Sequence, residues 1–319
     1  MRALVTGATG FVGPWLCREL LARGWEVTGT VHGDPAAEPL AAIAPPAGID
    51  WVQADLRRQA DVRAAVEASA PDAIFHLAGV AYVPAASADP GAALEVNVIA
   101  AARLLAEVRT RRQAGTLDPV VLIVGSGLQY GRHEVTAMPL REDAAQRPQD
   151  LYAASKAAQE IVALEAFHAD GVRVIATRSF NHAGPGQEPR YLIPRLVREA
   201  LALRRSGGTA LTLGNITPVR DFLHVADVAR AYVALVERGA PGEAYNVASG
   251  AGVDVRTVAD RVLVHLGIDA RLHIDPALQR SADVPVLVGD PAKLRGVTGW
   301  APQHSLDSII EDLIRAAAS

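Results

Sequence analysis

Tyr152 and Lys156 stand four residues apart in the run Tyr152-Ala153-Ala154-Ser155-Lys156, a spacing that puts both side chains on one face of a helix. A phenol titrates near pH 10 in water, and an adjacent ammonium favours its ionised form. Such a pair can exchange a proton with an alcohol or with the alkoxide derived from it. The spacing alone is common on solvated helix surfaces, so it gains meaning from what accompanies it. Ser126, within Val124-Gly125-Ser126-Gly127-Leu128-Gln129-Tyr130-Gly131, closes an apolar strand-like run and adds a hydroxyl. Ser126, Tyr152 and Lys156 are the candidate catalytic set.

A second chemical feature lies at the start of the chain. Val5-Thr6-Gly7-Ala8-Thr9-Gly10-Phe11-Val12-Gly13 falls between a strand-like run and a helical pattern. Glycines let the backbone approach a pyrophosphate closely, and the helix that follows points its N–H groups and positive dipole end at that anion. The bland alternative is a tight turn without a ligand, but the strand before and the helix after are what dinucleotide binding requires. Gly7, Thr9, Gly10, Phe11, Val12 and Gly13 are therefore candidate cofactor contacts. NAD enzymes place an acid at the end of the second strand for the ribose hydroxyls, and NADP enzymes place a base nearby. Here Thr30-Val31-His32 offers neither pattern. His32 is retained as a cofactor candidate, Asp34 before Pro35 reads as a turn former, and NAD and NADP both remain open.

These groups need a scaffold. Ala3–Val5, Glu26–Val31, Trp51–Gln53, Ala73–Leu77, Val120–Val124 and Arg173–Thr177 read as strands, with helices near 13–23, 59–69, 91–110 and 150–169 between them. Strand and helix in alternation predict an α/β fold, a Rossmann-type doubly wound parallel sheet. After Thr177 the rhythm changes. Asn181–Pro189 reads as a Gly/Pro-rich loop, Ala210–Leu213 and Ala244–Val247 as apolar pieces, and 225–238 as a helix that Asp227 would cap. Residues 1–177 are thus expected to form mainly the dinucleotide-binding domain and 178–319 mainly a smaller substrate-binding lobe, interleaved with the first.

The bulk numbers agree with a globular enzyme. Of 319 residues, 50% are hydrophobic and 21% charged, enough apolar chain for a large core. A net charge of −4 gives no basic footprint for nucleic acid or an anionic membrane. No apolar stretch is long enough for a membrane span. The lone Cys17 excludes an internal disulfide and reads as a small core residue. With no secretory leader pattern after Met1, a cytoplasmic protein is expected. No metal site is expected.

The GxxGxxG spacing, the triad and several shorter segments resemble the extended short-chain dehydrogenase/reductase family. Asp55-Leu56 falls where the family contacts adenine, His76-Leu77-Ala78-Gly79 resembles its HLAA segment, and Asn97-Val98-Ile99-Ala100 resembles NVxG with alanine in the last place. The resemblance implies cofactor contacts at Asp55, Leu56, Leu77, Ala78, Gly79, Asn97, Tyr152 and Lys156, with Ser126 on the family's catalytic hydroxyl. It also implies a homodimer formed through a pair of helices that includes the one carrying Tyr152.

Within that family the nucleotide-sugar branches differ around the triad. The 4,6-dehydratases carry an acid two residues after the catalytic hydroxyl, where this chain has Leu128, a residue that does no proton chemistry. The 3,5-epimerase/reductases use a cysteine, and Cys17 lies far away in sequence. Arg178-Ser179-Phe180-Asn181-His182-Ala183-Gly184-Pro185-Gly186-Gln187 resembles the RxFNHxGPGQ segment of GDP-4-keto-6-deoxy-D-mannose reductases. So do Gly214-Asn215, Val219-Arg220-Asp221-Phe222, Arg280-Ser281-Ala282-Asp283-Val284-Pro285 and Thr298-Gly299-Trp300. That resemblance implies reduction of a C4 ketone on a GDP-linked sugar, giving GDP-D-rhamnose. Asn181 and Ser126 would lie at the sugar, Arg220 and Arg280 at the diphosphate, and Asp283 at the nucleotide ribose. A guanidinium fork suits two phosphate oxygens. His182 reads either as a direct participant or as a holder of its own loop. A 4-epimerase, a GDP-mannose 4,6-dehydratase and, outside enzymes, a dinucleotide-sensing protein are the competing readings.

Overall fold

The computed structural model describes residues 1–33, 43–278 and 284–318. Asp34, Arg280 and Asp283 lie outside the described residues. The strands are β1 (Arg2–Thr6), β2 (Glu26–Val31), β3 (Ile49–Gln53), β4 (Ala73–His76), β5 (Val120–Ser126), β6 (Val174–Ser179), β7 (Asn181–Ala183), β8 (Ala210–Leu213), β9 (Val219–His224), β10 (Glu243–Val247), β11 (Gly252–Asp254), β12 (Arg271–Ile274) and β13 (Val286–Leu287). The α-helices are α1 (Gly13–Ala22), α2 (Gln59–Ser69), α3 (Val83–Ala88), α4 (Pro90–Leu94), α5 (Ala100–Gln113), α6 (Leu151–Asp170), α7 (Leu192–Ser206), α8 (Val225–Arg238), α9 (Val255–Leu266), α10 (Ala292–Thr298) and α11 (Leu306–Ala318).

Among the described residues, a seven-stranded sheet runs in the order β10-β6-β5-β4-β1-β2-β3, with every pair parallel. Its inner strands β4, β5 and β6 are buried on both faces, as their near-continuous apolar runs require. Leu4 of β1 registers with Thr28 of β2 on one side and Ile74 of β4 on the other, so the strand order reverses at β1. Ligands in doubly wound folds bind at the carboxyl ends of the strands beside such a reversal, and this is where the glycine turn and Ser126 emerge. One face of the sheet packs against α1 and α8 through Leu16, Leu20, Val228 and Tyr232. The other packs against α2, α5 and α6 through Val62, Leu104 and Ala163. Cys17 is fully buried in the first of these cores, and burial pushes its thiol up to about 12, which makes it an inert core residue.

The second half of the chain builds another core from α7, α9 and α11 with β8 and β12. It also returns to the first sheet, where β10 pairs with β6, Asn246 opposite Arg178. A separate sheet of β11, β9 and β13, with β7 on β9, is entered from the carboxyl end of β6, since β7 begins two residues after it.

Three elements differ from the sequence expectation. The helix expected over 91–110 is divided: α4 leads through a π-helical turn, Glu95–Ile99, into α5. The extra residue in that turn rotates Asn97 inward, where it is fully buried. The Gly/Pro-rich segment expected as loop contains β7, because Asn181–Ala183 pairs with Phe222–His224. The cap of α8 is His224, whose Nδ1 accepts from Ala226 N at 3.0 Å. Asp227 lies inside the first turn, fully buried, pairing with Arg230 and accepting from the backbone N–H groups of Gln303 (3.1 Å) and His304 (3.0 Å).

Candidate active site

The glycine turn is shaped by close approach rather than by flexibility. Gly7 has φ +69°, and a Cβ there would lie 2.8 Å from Ala78 N, so β1 and the segment after β4 meet backbone to backbone. A Cβ at Gly13 would strike the Ala8 carbonyl. Gly10 N donates to Gly7 O at 3.0 Å and Gly13 N to Gly10 O at 3.2 Å, closing the turn. No side chain caps the start of α1; Gly13 N is used within the turn and Pro14 has no N–H, so it is the positive end of the helix dipole that is left for an anion. Thr9 is buried, and Phe11 stacks on His182 with centroids 5.9 Å apart and planes 4° from parallel. His182 Nδ1 lies 2.9 Å from Phe180 O, and Trp15 Nε1 donates to Pro185 O at 3.2 Å. The loop from β7 is thereby seated on the glycine turn. His182 holds this loop, the second of its two sequence readings.

The segment after β4 closes the same space. His76 Nδ1 is 2.9 Å from Thr6 Oγ1, while its Nε2 is buried with no hydrogen-bond partner among the described residues. Burial, with the Lys156 charge behind it, drives the ring down to about 3, so it stays neutral. Leu77 and Ala78 are half-buried and Gly79 is exposed. A Cβ on Gly79 would lie 2.8 Å from Asn97 Oδ1 and 3.3 Å from Lys156 Nζ. Asn97 accepts from Val80 N at 2.7 Å and donates to Ser155 Oγ at 2.8 Å, tying this segment to the helix of Tyr152. Leu56 is packed into the core beside α2.

α6 is set by a sequence signal at each end: Asp150 accepts from Ala153 N at 2.8 Å, and Gly171 closes it at φ +69°. Ser126, at the end of β5, accepts from Leu128 N at 3.2 Å, and its hydroxyl lies beside the Tyr152 phenol. Burial pushes that phenol up to about 12, and the Ser126 hydroxyl only partly offsets it. Lys156 Nζ does not reach the phenol oxygen as the helical spacing suggested. It donates to Val124 O at 2.8 Å and Gln159 Oε1 at 3.0 Å, and desolvation lowers it to about 8. The ammonium anchors the helix to β5, and Tyr152 is a protonated acid at neutral pH.

Behind these groups lies a buried polar network absent from the sequence reading. Gln129 Oε1 accepts from Ser126 N at 2.6 Å, and Gln129 Nε2 donates to Glu160 Oε2 at 2.9 Å. Glu160 pairs with Arg178 at 2.6 Å, and Arg178 Nη1 donates to Tyr130 Oη at 2.9 Å. The one sequence signal was Arg178, a charge in β6, whose other residues are all buried.

In the second lobe, Asn181 and Arg220 are half-buried on the paired strands β7 and β9, and Arg220 Nη1 donates to Val219 O at 2.9 Å. Asp221 beside it turns inward, accepting from Ser249 N and Oγ at 2.8 and 2.7 Å and from Gly250 N at 3.0 Å. At the far side of the glycine turn, Asp55 is gripped by Arg57, with Nε 2.9 Å from Oδ1 and Nη2 2.8 Å from Oδ2, which holds its carboxyl well below the usual range. Arg57 Nη2 is also 3.2 Å from His32 Nε2. No group of three or more His, Cys, Asp or Glu among the described residues could hold a metal ion. No helix among them is long and apolar enough to cross a membrane.

A family profile described as GDP-mannose 4,6 dehydratase matches residues 4–313. The chain belongs to this family of extended short-chain dehydrogenase/reductases. The sequence is 33% identical over 318 residues to a GDP-6-deoxy-D-mannose reductase of Pseudomonas aeruginosa, covering 98% of this chain and 96% of that protein. Among solved structures, RMD from Pseudomonas aeruginosa complexed with NADPH matches with a TM-score of 0.82 and 28% identity, covering 99% of this chain and 98% of that one. The Thermus thermophilus UDP-glucose 4-epimerase complex with NAD matches with a TM-score of 0.84 and 29% identity, covering 100% of this chain and 99% of that one. As an extended short-chain dehydrogenase/reductase the chain is an NAD(P)-dependent enzyme, and its site fits that cofactor: glycines that a Cβ would block, an uncapped helix start and a buried ammonium beside Gly79.

Proposed function

We propose that this enzyme reduces the C4 ketone of a nucleotide-diphosphate 4-keto-6-deoxyhexose, with GDP-4-keto-6-deoxy-D-mannose as substrate and GDP-D-rhamnose as product. The observation that carries the reading is Leu128. It stands two residues after Ser126, where a dehydratase places its acid, and its side chain packs with Tyr130, Leu140 and Phe180. Removing a sugar C5 proton needs a base at that place, whereas ketone reduction needs none. The similarity to a GDP-6-deoxy-D-mannose reductase supports the same reading.

When bound, NAD(P)H would supply the hydride that C4 receives. The Gly7–Gly13 turn and α1 would hold its pyrophosphate, and Asn97, Gly79 and Lys156 would frame its nicotinamide half. Tyr152 donates its proton to the C4 oxygen as that oxygen gains charge, and solvent later returns a proton to the phenolate. A neutral phenol is the right starting state for this direction of reaction, and burial keeps it neutral. Ser126 donates a hydrogen bond to the same oxygen. Lys156 keeps Tyr152 in place through Val124 O and takes the ribose hydroxyls. Asn181 lines the sugar, Arg220 and Arg280 take the diphosphate, and Asp283 takes the nucleotide ribose.

The enzyme works as a homodimer in this account, paired through α5 and α6. Ile161 on α6 is 66% exposed and would be covered by a partner helix in such a dimer. The test of function is direct. Purified protein given GDP-4-keto-6-deoxy-D-mannose should oxidise NADPH or NADH stoichiometrically, and no oxidation with either cofactor rejects the proposal.

A further inference from the structure

We infer that Gln159 is a positioning residue of the active site, whose side-chain oxygen orients the Lys156 ammonium and helps it keep its proton. The inference rests on Lys156 serving the bound cofactor and not on the identity of the sugar.

Gln159 follows Lys156 by three residues on α6, so the two side chains are neighbours on one face. Gln159 is fully buried and Lys156 nearly so. An ammonium offers three N–H donors and no acceptor, so the atom of the Gln159 amide that faces it must be the oxygen. Lys156 Nζ donates to Gln159 Oε1 at 3.0 Å and to Val124 O at 2.8 Å. Two donors are thus committed to fixed acceptors, one on the helix and one on the strand, and together they set the direction of the third. The Gln159 amide has no other bond to account for it. Its Nε2 is buried without a hydrogen-bond partner among the described residues. An apolar side chain would fill the position without that unpaired donor, whose burial is unfavourable. What explains a glutamine here is the bond to Lys156.

Among the described residues, the carboxylates of the elements around Lys156 are engaged elsewhere. Glu160, next in α6, pairs with Arg178 and accepts from Gln129 and Gln146. Glu107 of α5 is bound by Arg111, and Glu95 of the π turn by Arg103. Asp89 caps α4 and Asp150 caps α6. His76 of β4 is within electrostatic reach of Lys156 but stays neutral, and the Tyr152 phenol stays protonated. Desolvation therefore acts on Lys156 without an opposing anion, and lowers it to about 8. The neutral oxygens of Gln159 and Val124 support the charge that remains.

The chain contains two lysines, Lys156 and Lys293. Protein grown with lysine carrying carbon-13 at Cε therefore gives two titrating signals by NMR. Lys293→Arg removes the one from Lys293, which pairs with Glu243 at 2.7 Å. Gln159→Met, of similar volume, should lower the Lys156 midpoint by roughly one pH unit. Gln159→Glu sets an anion against the ammonium and should raise it by roughly one to three units. The alkaline decline in NADPH or NADH affinity, measured by calorimetry on the same full-length proteins, should shift in the same order. A glutamine that merely fills space would change the melting temperature of both variants and move neither titration. Any other order of midpoints, or an affinity decline that does not follow them, overturns the inference. The expected order in a protein that turns over no keto-sugar leaves the inference standing and rejects the proposed function instead.

Discussion

Arg178 and Glu160 form a buried ion pair, Nη2 to Oε1 at 2.6 Å, with side chains 7% and 3% exposed. The pair joins α6, which carries Tyr152 and Lys156, to β6, the strand paired beside Ser126. Through Gln129 it also reaches the Ser126 backbone. Ser126, the Tyr152 phenol and the Lys156 ammonium thus hang on one shared polar frame.

Breaking one partner leaves the other charged and buried. Arg178→Met should destabilise the protein by about 3–5 kcal/mol, the range for an uncompensated buried charge. Equilibrium denaturation checks this. Glu160→Gln leaves the Arg178 charge unpaired but still accepts from Gln129, so it should lower stability with little change in kcat, because Ser126 keeps its support.

Tyr152→Phe removes the proton donor and little volume. Turnover should fall by about 10²–10⁴-fold, the usual range for a general acid, while calorimetric cofactor affinity changes less than about threefold.

Lys156 sets an alkaline limit. Desolvation lowers its ammonium to about 8, so the charge is present at pH 7 and is lost as pH rises through about 8. Cofactor affinity should decline over pH 7.5–9, and titration calorimetry across that window would show it. An affinity flat to pH 10 contradicts the assigned role.

His76 sets an acid limit on stability. Its folded pKa is depressed to about 3 from an ordinary 6.5. The unfolded chain therefore takes up a proton below pH 6.5 that the folded one refuses. Stability from this group is complete above pH 6.5 and declines by up to about 1.4 kcal/mol per pH unit toward pH 3. His76→Gln should flatten the acid limb of a melting curve measured against pH.

Much of the sheet was legible because buried parallel strands read as short apolar runs, and β1 to β6 fall where those runs are. The glycine turn was legible because Gly7 and Gly13 are required by backbone approach, which no other residue tolerates. The π turn was not: it leaves the apolar period intact on both sides and reveals itself only by turning Asn97 inward. The cap of α8 was misassigned because Asp is the commoner cap, while His224 had the right backbone geometry and Asp227 was needed inside. The position of Lys156 against Val124 O was hidden because helical spacing gives which face a side chain occupies, not which partner on that face it meets. The Glu160–Arg178 pair joins elements whose contact only the fold supplies.

Hydride transfer to C4 is the claim on which the account turns, and isotope transfer tests it most directly. With cofactor deuterated at the transferring C4 position and GDP-4-keto-6-deoxy-D-mannose as substrate, the account predicts GDP-D-rhamnose carrying one deuterium at C4. Unlabelled product, or conversion of GDP-mannose to a 4-keto sugar without added reductant, would contradict it.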